Sequence, residues 1–170
     1  MSADSRVPGP LGPLDPLRHG ELRGVWWWPG ESEESDAPDL VDAADLLVTV
    51  ADVLEWHSVV LDTSLCEGKE SFLQTCSDSF ALPSWFGMNW DALVDCLSDL
   101  DVGESMGLLI VWRGWQALAA AAPDEFAVAL EVLDESAARW EADGVPGAVL
   151  LVGGAPEGVV ELGVRRLGER

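Results

Sequence analysis

Leu82 to Leu100 reads LPSWFGMNWDALVDCLSDL, a loop that turns into a helix, and the rest of the chain reads as its scaffold. Trp85, Phe86, Gly87 and Asn89 suit a non-helical segment that ends in an Asn N-cap, which places the helix start at Trp90. At about 100° per residue, Asp91, Asp95 and Asp99 fall on one face, while Ala92, Leu93, Cys96, Leu97 and Leu100 form the apolar face. Like charges spaced four apart destabilise an isolated helix by a few tenths of a kcal/mol per pair. The helix dipole compensates Asp91 alone, since Asp95 lies too far along and Asp99 near the wrong end. A solvated helix face in an acidic protein is the plain alternative. Aromatics beside fixed charge, on a loop braced by a helix, describe a recognition surface better.

Working outward, His57 to Asp62, with Val59, Val60 and Leu61 continuous, predicts a buried parallel strand, and Lys69 to Phe80 the helix after it. Downstream, Leu108 to Trp112 predicts a second buried strand and Gln116 to Ala121 a short helix. Pro123 to Ala142 predicts a longer helix with apolar positions 126, 130, 133, 137 and 140, and Gly147 to Val152 a third strand. Strands alternating with helices imply an α/β fold with a parallel sheet.

The N-terminal third is less regular. Residues 1–20 alternate Pro and Gly with Leu, as an extended or disordered arm does. Leu22 to Trp28 ends in Trp26, Trp27 and Trp28 and suits a strand or an adhesive segment laid on the domain. Gly30 to Asp39 is an acidic loop; from Pro38 onward, apolar residues at 40, 41, 44, 47, 48, 51 and 54 have helical spacing, although Val48 to Val50 would also suit a strand. The expected organisation is therefore an arm (1–20), an N-terminal extension of strand plus helix (21–55), a main domain (56–154) and a C-terminal tail (155–170). In that tail GVVELGV reads as an edge strand or a short helix.

Composition narrows the function. A chain of 170 residues, 48% hydrophobic, holds one domain with a core. Its net charge of −22 argues against nucleic acid and anionic membrane and favours a basic protein partner. Cys66, Cys76 and Cys96 are odd in number and lack metal-site spacing, as buried reduced thiols of a cytoplasmic protein do. MSADSRVPGPLG has no apolar h-region and no apolar run approaches about 18 residues, so neither export nor membrane insertion is expected. His19 and His57 accompany no triad motif, and Gly153 and Gly154 form no phosphate-binding fingerprint. Trp112, Trp115 and Trp140 read as core.

LPxWFGxNWDALxDCL, together with LLIVWRGW and the final strand, resembles the barstar family of intracellular inhibitors of secreted guanyl-specific ribonucleases, over roughly residues 56–153. The resemblance implies a barstar-like, three-stranded parallel sheet packed with helices, to which the N-terminal extension is added. It also implies that Asp95 takes the place of the substrate phosphate among basic residues of the ribonuclease, since arginines that grip phosphate also grip carboxylate. By the same resemblance the partner-binding residues also include Asp91 as a second acidic contact, Trp85 and Phe86 as an aromatic pair at the rim and centre of the interface, Gly87 and Asn89, whose backbone shapes the loop, and Ser98 as a small hydroxyl contact. Val94, expected at the interface as well, falls at a position that can hold an aromatic. Glu135 matches an acidic contact of the long helix, with Glu131 and Glu141 as alternatives because that helix runs longer here. The sequence departs from the family in lacking phenolic hydroxyls at positions 85 and 86 and in placing Met88 where a polar residue stands.

The expected protein is thus a non-catalytic cytoplasmic inhibitor, of the kind that protects a bacterial producing cell, with no cofactor, no metal and no catalytic residue. Its partner is a secreted guanyl-specific ribonuclease with a basic active site; the alternative is an acidic interaction or immunity module of the same fold with another partner. Acid–base catalysis by Asp91, Asp95 and Asp99 lacks a concave apolar pocket, and one helix face rarely supplies the oxygens that Ca²⁺ requires.

Overall fold

The computed structural model describes Leu17, Gly20 and residues 22–28, 43–153 and 165–166. The remainder of the Pro/Gly arm with His19, the acidic loop at 30–39 and the tail apart from 165–166 lie outside the described residues. Where β-branched residues and leucine run together the chain forms strands: β1 (Gly24–Trp28), β2 (His57–Asp62), β3 (Leu108–Arg113), β4 (Gly147–Val152) and the two-residue β5 (Arg165–Arg166). The helices are α1 (Ala43–Val53), α2 (Lys69–Ser79), α3 (Trp90–Ser98), α4 (Trp115–Ala121) and α5 (Pro123–Ala142). Pro123 opens α5, where its missing N–H costs nothing.

All strand pairings are parallel, in the order β2-β3-β4-β1-β5. The sheet therefore exceeds the three strands expected. The additional long strand comes from the N-terminal extension: Gly24 to Trp28 run alongside Ala148 to Val152. Left alone, β4 would present a row of unpaired backbone groups at the sheet edge; the Val-Trp-Trp-Trp run covers it.

A second departure concerns β2. Expected as a buried strand, it lies at the sheet edge and pairs only with β3 among the described residues, so Leu61 is buried while Val60 is 37% exposed. β3 and β4 occupy the interior, and their residues are buried almost without exception.

Alternate residues of the inner strands feed two cores. On one face Leu108, Ile110, Trp112, Val149 and Leu151 meet Phe72, Leu93, Leu97, Phe126, Leu133 and Trp140 from α2, α3 and α5. On the other face Leu109, Val111, Ala148, Leu150 and Val152 meet Leu47, Val50 and Ala51 of α1, with Leu17, Leu22 and Trp28. Helices thus cover both faces. Leu17 belongs to the stretch expected as a free arm, yet it is fully buried in this second core.

The second core supplies a clean test. Leu47 is fully buried and Val53, on the same helix, is 76% exposed. Leu47→Ala should cost about 2–5 kcal/mol in urea unfolding, whereas Val53→Ala should stay within about 0.5 kcal/mol of wild type. Equal effects of the two would show that α1 does not seal the sheet.

Candidate functional site

The face in question is built from the inside. Trp90, Phe72, Trp112, Phe126 and Trp115 form a continuous aromatic row, with successive ring centroids 5.6, 5.6, 5.4 and 5.7 Å apart. It runs from the start of α3 through the main core to α4, so the first turn of α3 rests on aromatic packing. At the other end of α3, the Trp140 indole N–H donates to the Leu97 carbonyl at 2.7 Å and ties α5 to α3. A Cβ on Gly147 would run into the Trp140 ring, so the glycine lets α5 settle onto β4.

Asn89 sets the point where the loop becomes helix. Its backbone is extended (φ −139°, ψ 165°), its side-chain oxygen accepts from the Ala92 N–H at 2.8 Å, and its amide donates to the Gly87 carbonyl at 3.2 Å. The loop itself is tight. Phe86 N–H donates to the Pro83 carbonyl at 2.9 Å, and Met88 adopts φ 51°, uncommon for a residue with a side chain. This turn drives Phe86 into the core and leaves Trp85 71% exposed.

Of the residues named from the sequence, Trp85, Gly87, Asn89, Asp91, Asp95 and Glu135 are exposed, and Ser98 is half-buried. Phe86 and Val94 turn inward, 8% and 6% exposed, and support the face from beneath. The reason for Val94 is that α3 buries a wider arc than its leucines alone define: Leu93, Val94, Cys96 and Leu97 are all buried. The Ser98 hydroxyl donates to the Val94 carbonyl at 2.7 Å, so its proton is committed to its own helix. Asp99 lies just past the helix as its C-cap and is exposed with Asp91 and Asp95. Burial first, and then the Asp95 and Asp99 carboxylates, push the Cys96 thiol up, which keeps it a neutral packing group.

Glu135, Glu131 and Glu141 on α5 are all exposed, and geometry separates them. Arg139 lies 3.0 Å from Glu135 and 3.5 Å from Asp95, so one guanidinium bridges the acidic residues of the two helices. Sequence reasoning missed Arg139. Its spacing of four from Glu135 was visible in the sequence, but its pairing with Asp95 depends on how α3 and α5 pack. Lys69, the first residue of α2, lies over the Trp90 ring at 5.8 Å, so a second cation flanks the same helix.

Among the described residues, no three His, Cys, Asp or Glu side chains converge as a metal-binding group. No helix among them is long and apolar enough to cross a membrane. The arrangement suits charge-assisted hydrogen bonding to a cationic surface, anchored by an exposed aromatic.

Comparison with known proteins bears on the family and on the fold. The family model described as Barstar (barnase inhibitor) matches residues 56–152. No curated protein matches the chain. Among solved structures, the Aeropyrum pernix ORC2 protein in its ADPNP-ADP complexes is similar with a TM-score of 0.56 at 16% identity, covering 91% of this chain and 44% of that one. Drosophila ORC bound to DNA is similar with a TM-score of 0.51 at 19% identity, covering 86% and 39%. The chain spans less than half the length of either structure, and at such identities the likeness is one of fold.

Loop shape and loop exposure come apart in mutants. Asn89→Ala removes the cap and the tie to Gly87 and should cost about 0.5–2 kcal/mol in chemical unfolding. Trp85→Ala removes an exposed side chain and should shift stability by less than about 0.5 kcal/mol.

Proposed function

We propose that this chain, which belongs to the barstar family, is a non-catalytic inhibitor that covers the active site of a secreted guanyl-specific ribonuclease. Asp95 stands in for the RNA phosphate. The observation that carries this reading is the exposed pair Asp91 and Asp95 on a helix braced by an aromatic row and by Trp140, with Trp85 exposed on the loop that leads into that helix. A carboxylate on a braced helix meets the requirements of an arginine-lined phosphate site, because guanidinium groups form paired hydrogen bonds to either anion. Asp91 adds a second acidic contact, and Glu135 a third from α5. Phe86 and Val94 contribute by holding the surface in place.

The overall charge of −22 acts before contact. It draws in a basic ribonuclease and speeds encounter, an effect that falls as salt rises. Binding needs no cofactor or metal, and the protein acts in the cytoplasm of the producing bacterial cell. The nucleotide named for the Aeropyrum pernix structure and the DNA named for the Drosophila one do not carry over to this chain. Residues 29–42, PGESEESDAPDLVD, follow β1 with six acidic residues and no Lys or Arg, and no GxxxxGK[ST] stretch occurs in the chain.

The test is inhibition of RNA cleavage by purified secreted guanyl-specific ribonucleases, with wild type and Asp95→Ala side by side at two salt concentrations. Inhibition should fall with salt, and Asp95→Ala should weaken binding by about 2–5 kcal/mol or more, the cost of truncating one member of a buried charge pair; the barnase–barstar pair is the standard example of such coupling and reaches higher values. Folding stability should change little. The exposed Asp95–Arg139 pair is worth about 0.2–1 kcal/mol at most, and relief of repulsion among the α3 aspartates offsets its loss. If several such ribonucleases go uninhibited, the face belongs to an immunity or interaction module of the same fold with a different partner.

A further inference from the structure

The acidic face is not uniformly acidic. Asp95, Arg139 and Glu135 lie in the order negative, positive, negative across the α3–α5 seam, joined by contacts of 3.5 and 3.0 Å. The side chains of all three remain about half exposed or more: 46% for Arg139, 71% for Asp95 and 55% for Glu135. We infer that Arg139 is a specificity-determining residue of this surface, and that the partner offers, next to the cations that receive Asp95, a carboxylate that receives Arg139. The inference rests on the reading of Asp95 as the residue that enters a basic active site.

Asp95 cannot keep Arg139 as its full partner and also substitute for a phosphate, because the internal guanidinium would offset the charge that the ribonuclease arginines are to grip. Binding therefore separates the pair or makes it share. The pair is exposed and so is easily parted. The freed guanidinium then lies beside Asp95 on a surface that loses its water on binding. Facing a wholly basic cleft it would meet like charge, and an uncompensated charge in such a place is strongly unfavourable. Glu135, one turn away on the same helix, can hold only part of it while making its own contact. A partner carboxylate opposite Arg139 removes the conflict. A ribonuclease that is basic throughout would be rejected, which is how repulsion supplies specificity.

Two opposing signs make this testable. By long-range attraction alone, removing a cation helps: Arg139→Ala takes the net charge from −22 to −23 and Arg139→Glu to −24, and association with a basic ribonuclease should be as fast or faster. By the local contact proposed here, dissociation should quicken, by about tenfold for Arg139→Ala and about a hundredfold for Arg139→Glu. The experiment measures association and dissociation rates of full-length wild type, Arg139→Ala, Arg139→Glu and Asp95→Ala against secreted guanyl-specific ribonucleases, with melting temperatures as a folding control. Faster dissociation of both Arg139 variants, with melting temperatures within a few degrees of wild type as loss of exposed pairs allows, is the expected result. Unchanged or slower dissociation for Arg139→Glu, while Asp95→Ala dissociates faster, overturns the role of Arg139 and leaves the inhibitor reading standing. Absence of wild-type binding to every ribonuclease in the panel overturns that reading, and the inference with it.

Discussion

One hydrogen bond fixes the geometry on which the face depends. The Trp140 N–H to Leu97 carbonyl contact joins α5 to α3 inside the core, where the donor has no water to turn to. Its position sets the register of everything outside it. With residue 140 locked against residue 97, Arg139, one position before Trp140, reaches Asp95, two positions before Leu97, and Glu135 follows one turn back. The arrangement needs a bare backbone at Gly147, against which the indole lies. A side chain there would push α5 off β4 and shift the whole charge row. The outer surface is thus a projection of the way one tryptophan packs.

Tryptophan serves the same purpose elsewhere. Trp112 donates to the Thr63 hydroxyl at 2.7 Å, Trp115 to the Val152 carbonyl at 3.0 Å and Trp27 to the Gly153 carbonyl at 2.7 Å. Each indole fills a large volume and spends its one polar atom on a neighbouring element. Thr63, fully buried, passes its own proton to the Gly114 carbonyl at 3.2 Å. Gly114 is required at that point: it adopts φ 67°, and a Cβ would come within 2.5 Å of the Ser64 nitrogen. These contacts tie the carboxyl ends of the strands to the loops that follow them, next to the helices that carry the acidic face.

The strands and helices of the main domain were legible because their periods are unambiguous. Pro123–Ala142 and Gly147–Val152 begin and end where the apolar spacing, Pro123 and Gly147 place them. Asn89 and the start of α3 were legible because capping is local chemistry. What depended on tertiary partners was not. A run such as Val25 to Trp28 has the same strand propensity whether it pairs or adheres, so its place beside β4 could not be read from it. The apolar run in β2 suggested burial on both faces, but burial follows position in the sheet, and β2 stands at the edge. Phe86 and Val94 were assigned outward from a motif. A motif preserves order along the chain and not the depth at which each side chain comes to rest.

Arg139 belongs to the same class of hidden feature, and it changes how the charge of this protein should be understood. A net −22 acts over distances comparable with the Debye length, about 8 Å at physiological salt, and discriminates only between basic and acidic partners. Discrimination among basic partners has to come from contacts shorter than that, where the sign of each group matters separately. A surface of uniform charge cannot make such a distinction, because every cationic cleft satisfies it. A single guanidinium set between two carboxylates can. In the reading proposed for this face, the rest of the chain supplies the attraction, and the seam between α3 and α5 decides which of the attracted proteins remain.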